Sequence, residues 1–432
     1  MDFKPRPITT KMSRIVLATF GSSGSVQPSI ALGLGLKARG HEVTIAAGES
    51  LHAKVEAYGL SFSPVRPDRS IVTADPEASR QAAQLKTGSA FAVKNLLRYV
   101  EETYADLLAA CQGADLFISH PAAFCAPLVA EKLALPWLSL ALAPATLFSA
   151  TDPPVLPSMP WLARLPRVGS FPHSLIFRAF RSLTRNWMEP IDRLRAKAGL
   201  NPSTKHPFFE GMFSPYGTLG LFSRTLAVKQ KDWPANTRIT GFPFCAEIDD
   251  RPLDGELDAF LSAGEAPVVF TLGSNVVREA GNFYDESKAA AERCGCRAVL
   301  LTGNDERNRI SPTRSVFTCA SAPYKTLFPH ASAVVHQGGI GTTGHAMAAG
   351  VPMLIVPHVH DQPDNAYRAQ RLGIARVESR SSYNAESAAR QLKTLLAEPA
   401  YKRRAQSVQT LVQAENGVAS GCDAVGEMLS RG

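Results

Sequence analysis

The sequence predicts an α/β protein built as two doubly wound parallel-sheet domains that face each other across a cleft. Three observations predict it. A chain of 432 residues exceeds what one ordinary core organises, so two domains of roughly 200 residues each are expected. Short β-branched runs alternate with helical patterns in both halves. The alternation is interrupted by a proline- and acid-rich stretch at 242–254, which reads as a linker. The expected boundaries are 1–241 for an N-terminal domain and 255–414 for a C-terminal domain, with 415–432 a helix returning to the first domain.

Ile15 to Thr19 reads as a buried strand, followed by a Gly/Ser turn and a helix from about Pro28 to Arg39 that Gly40 stops; Val43 to Ala47 is the next strand. The rhythm returns with a strand at Asp115–Ser119, a helix at Leu128–Leu133 and a strand at Trp137–Ala141. Strand, helix, strand in that order implies right-handed crossovers and a parallel sheet. From Asp152 to about Lys205 the pattern gives way to a segment rich in Pro, aromatics and Arg. The second unit begins at Pro267–Leu272 and continues through Arg297–Thr302, Ala333–His336 and Met353–Pro357. Ligands of such sheets sit beyond the carboxyl ends of the strands, so chemistry belongs in the loops that follow them.

Composition narrows the function class. Apolar residues make up 45% and charged ones 19%, a globular mixture, and a net charge of +8 suits anionic ligands. No zinc-finger spacing, RNA-binding aromatic signature or dense Lys/Arg run occurs, which argues against nucleic acid. Seven scattered cysteines fit reduced thiols in the cytosol, and the close pair Cys294 and Cys296 lacks the second pair a zinc site needs. Met1 to Met12 contains no apolar run of a signal peptide. Leu133 to Ala150, broken by Pro136 and Pro144, is too short for a bilayer that takes ~20 residues. A soluble cytoplasmic protein is expected.

The most informative stretch is VVHQGGIGTTGHAMAAGVPMLIVPHVHDQPDN, from Val334 to Asn365. A strand ends at His336; Gly338, Gly339 and Gly341 let the backbone turn tightly; and Thr342 or Thr343 can cap a helix ending near Gly350. A glycine turn at a helix N-terminus presents free N–H groups and the positive end of the helix dipole, a cradle for a diphosphate. His360-Asp361-Gln362 then places an acid beside an amide at a strand end, a pair able to accept from and donate to sugar hydroxyls.

Taken together, HQGGIGTT, AAGVPMLIVP and HDQPDNA closely resemble the donor motif of family 1 glycosyltransferases, whose two Rossmann-like domains form the GT-B fold. The bacterial branch of that family includes macrolide, rhamnolipid-type and sterol-type transferases. The resemblance extends to TFGSSGSVQPSIALGLGLKARGHEVTIA, ISHPAAFCAPLVAEKLALPW, FSATDPP and FTLGS, and so to nearly the whole chain. It implies inverting transfer of a hexosyl group, with UDP-glucose favoured over a dTDP-sugar, to a lipophilic or aromatic small molecule of natural-product type. His336, Gly338, Gly339, Gly341, Thr342 and Thr343 would hold the diphosphate, with Gly273 and Ser274 approaching from the other side. Asp361 and Gln362 would bind the sugar, and Ala322 to Tyr324 would line the base. Plant members carry a ribose-binding Glu where this chain has Gly344, and their base-stacking Trp has no counterpart near Ser321. No Asp-x-Asp motif occurs, so neither a metal nor any other cofactor is expected, and the helix N-terminus with His336 would stabilise the leaving group.

Inverting transfer needs a general base for the acceptor hydroxyl. The family carries it after the first strand, as His in plant members and Asp in the bacterial branch; Ser25 occupies that place here. A serine hydroxyl is no base at neutral pH. His120, after the strand ending at Ser119, is the candidate to replace it. Phe124 and Phe148 are expected on the acceptor side. Phe148, Trp161, Phe171, Phe177, Phe180 and Trp187 would wall the pocket. Between Trp161 and Leu200 eight Lys/Arg face two Asp/Glu, a basic rim able to rest on anionic lipid at the inner membrane face. Three rivals remain: a dinucleotide oxidoreductase, disfavoured because Gly33 and Gly35 fall inside the first helix; a sugar-nucleotide epimerase of the same fold; and a catalytically impaired binding protein.

Overall fold

The computed structural model describes residues 12–21, 23–68, 75–158 and 171–430. In the first sheet β1 (Arg14–Ala18), β2 (Glu42–Ala47), β3 (Ser61–Pro64), β4 (Leu116–Ser119), β5 (Trp137–Ala141), β6 (Thr218–Gly220) and β7 (Thr237–Ile239) run in the order β3-β2-β1-β4-β5-β6-β7. In the second, β8 (Val268–Thr271), β9 (Ala298–Leu301), β10 (Val316–Cys319), β11 (Ala333–His336), β12 (Met353–Ile355) and β13 (Ala375–Val377) run β10-β9-β8-β11-β12-β13. Every pairing is parallel. The expected pair of doubly wound domains is what the chain forms.

The central strands are apolar and bury both faces, as a parallel sheet covered by helices on either side demands; β4, β5, β8, β9 and β11 are buried along their whole length. Strand order reverses between β1 and β4 in one sheet and between β8 and β11 in the other. Crossovers leave such a switch point in opposite directions and open a crevice beyond the strand tips.

The helices that shape this crevice are α1 (Ser23–Ala38), α2 (Pro76–Ala82), α3 (Gly88–Arg98), α4 (Phe171–Thr184), α5 (Ile340–Ala348), α6 (Gln362–Arg371) and α7 (Gly417–Leu429). The first of them departs from expectation. It begins at Ser23, and Pro28 lies inside it. Proline has no N–H for the carbonyl four residues back, so a sequence reading starts the helix there. α1 is apolar all round because it is covered on both sides. A Cβ on Gly33 would lie 3.3 Å from Leu60 and Val43, and one on Gly35 would meet Val418 of α7 at 2.5 Å and Cys422 at 2.8 Å. These glycines serve close packing and leave no approach for a pyrophosphate. Arg39 fastens α7 further, with Nη1 2.7 Å from Asp423 Oδ1 and Nη2 donating to the Ala419 carbonyl at 3.1 Å.

The start of the expected linker and the start of α7 touch: a Cβ on Gly417 would collide with the Phe242 carbonyl. The Phe242 ring also lies against Gly344 of α5, 2.9 Å from where a Cβ would stand. That contact accounts for the bare position 344, since the linker occupies the space of a side chain. All seven cysteines are free thiols, and no described helix is long and apolar enough to cross a membrane.

Candidate active site

The expected donor side is built around the tip of β11. Gly338 adopts φ +87°, and a Cβ there would meet Ile355 at 2.8 Å and the Gln362 carbonyl at 3.0 Å, so glycine is required twice over. Gly339 caps α5 without any side-chain hydrogen bond. The sequence reading gave the cap to Thr342 or Thr343; both lie inside the first turn. Thr343 is fully buried, and its hydroxyl donates to the Gly339 carbonyl at 3.0 Å, so its proton is committed within the helix. The amides of Ile340, Gly341 and Thr342 have no intrahelical partner. A Cβ on Gly341 would face open space, so this turn is approachable there.

His336 is wholly buried, and its Nδ1 accepts from the Gly338 N–H at 3.0 Å. The remaining proton therefore sits on Nε2, which has no partner. Burial lowers its pKa to about 3, so the ring is neutral at physiological pH and presents one uncommitted N–H.

Gln337 escaped the sequence reading. Its buried side chain packs between two glycine loops, with Nε2 2.5 Å from a Cβ on Gly273 and 2.7 Å from one on Gly339, and its Oε1 has no partner. It spans the β8 and β11 loops across the switch point. Gly273 has φ +60°, and exposed Ser274 follows it in the short helix Gly273–Val276. Tyr324 does not offer its hydroxyl to the cleft as a free group: it meets Thr271 Oγ1 at 2.9 Å and its ring stacks on Phe328 at 4.6 Å. Ala322, half-buried, packs against the same core.

At the tip of β12 the Asp361 carboxylate accepts from Asn365 Nδ2 at 2.7 Å, and burial pushes its pKa up to about 6. Asn365 Nδ2 also donates to the Gly338 carbonyl at 2.9 Å, which ties the acid to the glycine turn. Gln362 departs from the free sugar-binding amide expected. It is buried, and its Oε1 accepts from the N–H groups of His358 and Val359, each at 2.9 Å, so its carbonyl braces the loop and only its NH₂ remains available.

On the facing rim the structure brings Ser25 and His120 to the same strand end. Thr19 Oγ1 donates to the Ser25 carbonyl at 3.2 Å, and the His120 N–H donates to the Ala18 carbonyl at 2.9 Å. Ser25 lies in the first turn of α1, no longer in a loop before it. His120 Nδ1 accepts from the Ala122 N–H at 3.0 Å, which leaves the proton on Nε2, and burial lowers its pKa to about 4. This arrangement opposes the base role expected of His120, because the lone pair is engaged and the ring has become a poor proton acceptor. It remains a hydrogen-bond donor.

Phe148 follows β5 in a left-handed conformation, φ +42°, and packs against Phe209, Phe208 and Phe177 at 5.0, 5.5 and 6.3 Å. Phe124 touches Phe208 at 6.1 Å but is buried in the core and lines a cavity of about 480 Å³ beside Trp137, at the start of β5 and away from the strand tips. It packs in the core and also lines that cavity; an acceptor contact was expected of it. Trp187 likewise packs on the core under Lys94, whose Nζ is 4.7 Å from its ring. Trp161 lies outside the described residues. Among the described residues, at least half of the basic rim is paired: Arg185 with Asp192 at 2.8 Å, Arg195 with Glu131 at 2.6 Å, Lys197 with Glu101 at 2.6 Å, and Arg181 with Glu210. A histidine the sequence reading passed over stands on α4 one turn before Phe177: His173 is buried, and neither ring nitrogen has a partner. Among the described residues no group of three His, Cys, Asp or Glu side chains is placed to hold a metal ion.

Comparison with known proteins bears on this geometry. Residues 15–151 match the glycosyltransferase family 28 N-terminal domain, and 299–419 match the erythromycin biosynthesis protein CIII-like C-terminal domain. The chain is 33% identical over 422 residues to O-mycaminosyltylonolide 6-deoxyallosyltransferase of Streptomyces fradiae, covering 95% of this chain and 96% of that one. It belongs to the macrolide-type glycosyltransferase family. Glycosyltransferase GtfE of Amycolatopsis orientalis is 30% identical over 433 residues, 96% of this chain and 98% of its own. The solved structure of glycosyltransferase VinC in complex with dTDP shares the fold, with a TM-score of 0.67 and 22% identity over 97% of this glycosyltransferase and 100% of that chain.

Proposed function

We propose that this glycosyltransferase moves a hexosyl group, with inversion and without a metal, from a pyrimidine nucleoside diphosphate to an acidic hydroxyl of a lipophilic or aromatic small molecule. The observation that carries the proposal is the uncommitted Nε2–H of buried His336 beside the three open amides of α5. Both are neutral donors in the turn after β11, at the β8/β11 switch point, where they would meet the charge that develops on a departing diphosphate. VinC binds dTDP, which supports widening the expected uridine nucleotide to either pyrimidine.

The acceptor oxygen would approach from the Ser25–His120 rim and attack the anomeric carbon, forming the new C–O bond as the bond to the diphosphate oxygen breaks. Asp361, with its NH₂ neighbour on Gln362, would hold the sugar. His120 would donate its Nε2–H to the acceptor oxygen. A donor stabilises an anionic nucleophile but takes no proton, so the acceptor would be one already partly ionised near neutral pH, such as a phenol, and its proton goes to solvent.

Nucleoside diphosphate release with UDP- and dTDP-hexoses, measured with and without a phenolic acceptor and with and without EDTA, tests the proposal. Release that needs both substrates and survives chelation is expected. Turnover of donor alone would mark an epimerase or hydrolase, no turnover a binding protein, and rescue by magnesium a metal requirement.

A further inference from the structure

We infer that Arg368 is a positioning residue: bridging Asp364 of its own helix and Asp152 of the N-terminal domain, it sets the acceptor-side loop in register with the donor-side helix. The inference rests on the function proposed above and adds a residue set to it.

The contacts form a closed network. Arg368 Nε lies 2.7 Å from Asp364 Oδ2, and its Nη1 lies 2.5 Å from Asp152 Oδ2. The other oxygen of each carboxylate is also used. Asp364 Oδ1 accepts from the Val155 N–H at 3.0 Å, and Asp152 Oδ1 lies 3.2 Å from Arg371 Nη1. Two carboxylates thus balance two guanidiniums, and the Arg368 and Asp364 side chains are 3% and 0% exposed. Asp152 and Val155 come from the loop after β5, whereas Asp364, Arg368 and Arg371 all lie on α6.

What the network joins decides its meaning. The loop it grips begins at Phe148, the aromatic of the acceptor side. That loop is tied at its near end to its own domain, where Ser149 Oγ donates to Asp232 Oδ1 at 2.7 Å and the Ala150 N–H to Asp232 Oδ2 at 2.6 Å. Its far end is tied to α6, whose N-terminus carries Asp361 and Gln362. Asp361 and Arg368 are two turns apart on one rigid helix, so fixing Arg368 against Asp152 fixes Asp361 relative to Phe148. A second tie holds the front of the same helix, where Ser89 Oγ of α3 meets His360 Nδ1 at 3.0 Å across the domains, with His360 at φ +56°.

Stability alone is a poor reason for such a network. Desolvating these charges costs about as much as their attraction returns, and apolar residues of similar size would hold two domains together as well. One planar guanidinium donating to two carboxylates supplies direction instead, because its N–H groups point along fixed lines and tolerate only certain placements of their acceptors. Registration matters to a reaction between two bound molecules, where a misplacement of about 1 Å costs on the order of a hundredfold in rate.

The test uses the full-length enzyme with Asp152→Asn, Asp152→Ala and Arg368→Lys. If the network sets register, transfer kcat falls by about tenfold or more in Asp152→Ala, nucleoside diphosphate affinity by calorimetry stays within about twofold, and donor hydrolysis rises relative to transfer. Asp152→Asn, which keeps the acceptor oxygen, recovers part of the loss. A purely structural role would instead lower melting temperature, donor affinity and transfer together. A second readout needs no acceptor: the distance distribution between fluorophores on the two domains broadens in Asp152→Asn and Arg368→Lys. Unchanged kcat and an unchanged distribution overturn the inference. A wild type inactive towards every acceptor would remove the transfer proposal, and the distance measurement would still decide whether the network fixes the domains.

Discussion

Replacing His336 by asparagine isolates one of the donors on which the proposed diphosphate site depends. His336 makes two separable contributions: Nδ1 accepts from the Gly338 N–H at 3.0 Å and shapes the turn, while Nε2 carries the proton and has no partner. Asparagine places its Oδ1 near where Nδ1 stood and has nothing at the ε position, so the turn keeps its acceptor and the ligand loses its donor. The ring is neutral because burial lowers its pKa to about 3, so no charge–charge attraction adds to the hydrogen bond. A hydrogen bond to a charged group contributes about 1.5–3 kcal/mol, which predicts a rise in Kd of roughly 10- to 150-fold. His336→Ala should bind more weakly still, since it also frees the Gly338 N–H. Titration calorimetry with UDP and dTDP measures both. The ratio of wild-type to variant affinity should stay constant from pH 6 to 9, because the nucleotide's own ionisation cancels and His336 does not titrate there. Affinity within about twofold of wild type in His336→Asn would refute the assignment. A ratio that collapses between pH 6 and 7 would show a charged imidazolium and refute the electrostatic argument.

Acid should destabilise the fold before it touches any carboxylate pair. Buried His336 and His358 have pKa values lowered to about 3 and about 4, so their contribution is full above the unfolded value near 6.5 and is lost as pH falls below it. Asp361, raised to about 6, works the other way and offsets part of the loss. A net decrease between pH 7 and 5 is expected from urea midpoints, and an unchanged midpoint would contradict these pKa directions. For acceptor activation, rates across a series of phenols should fall as phenol pKa rises, and His120→Ala should remove no inflection near pH 6.5; loss of such an inflection in the variant would restore His120 as the base. Gly341→Ala should fold with an unchanged melting temperature, since its Cβ meets nothing within 4 Å, yet weaken dTDP and UDP binding. Equal affinity would place the diphosphate elsewhere.

The sheet frame was legible because parallel strands are short, apolar and bounded by turns: Trp137–Ala141 and Ala333–His336 fall where the residues place them. The start of α1 was not, because proline is ordinarily tolerated only in a first turn and packing on both faces overrides that preference here. The donor turn could be read in outline from its glycines. What could not be read were partnerships decided by the third dimension. Thr343 resembles a cap until its hydroxyl turns back to Gly339, and His120 resembles a base until the Ala122 N–H fixes its tautomer. Phe124 and Phe148 are indistinguishable by composition, yet one packs into the core and the other stands at a strand tip. The bridge from Asp152 to Arg368 joins residues 216 positions apart, which no local pattern records.

The glycines that made the donor turn conspicuous carry less of the ligand argument than their number suggests. Gly273 is bare because Gln337 occupies the space of a side chain, Gly338 because Ile355 and the Gln362 carbonyl do, and Gly344 because Phe242 does. Each of these absences brings two protein segments together. At Gly341, by contrast, a Cβ would meet nothing within 4 Å. A glycine-rich strand–helix turn is therefore ambiguous in sequence: the same composition serves a phosphate cradle and a tightly packed corner. What separates the two here is the inventory of unused donors. A corner built only for packing gains nothing from a buried imidazole N–H without a partner, because an unmade hydrogen bond in an apolar interior costs about 1–3 kcal/mol. The uncommitted Nε2–H of His336, beside amides that α5 cannot satisfy itself, is a cost that binding a diphosphate would recover.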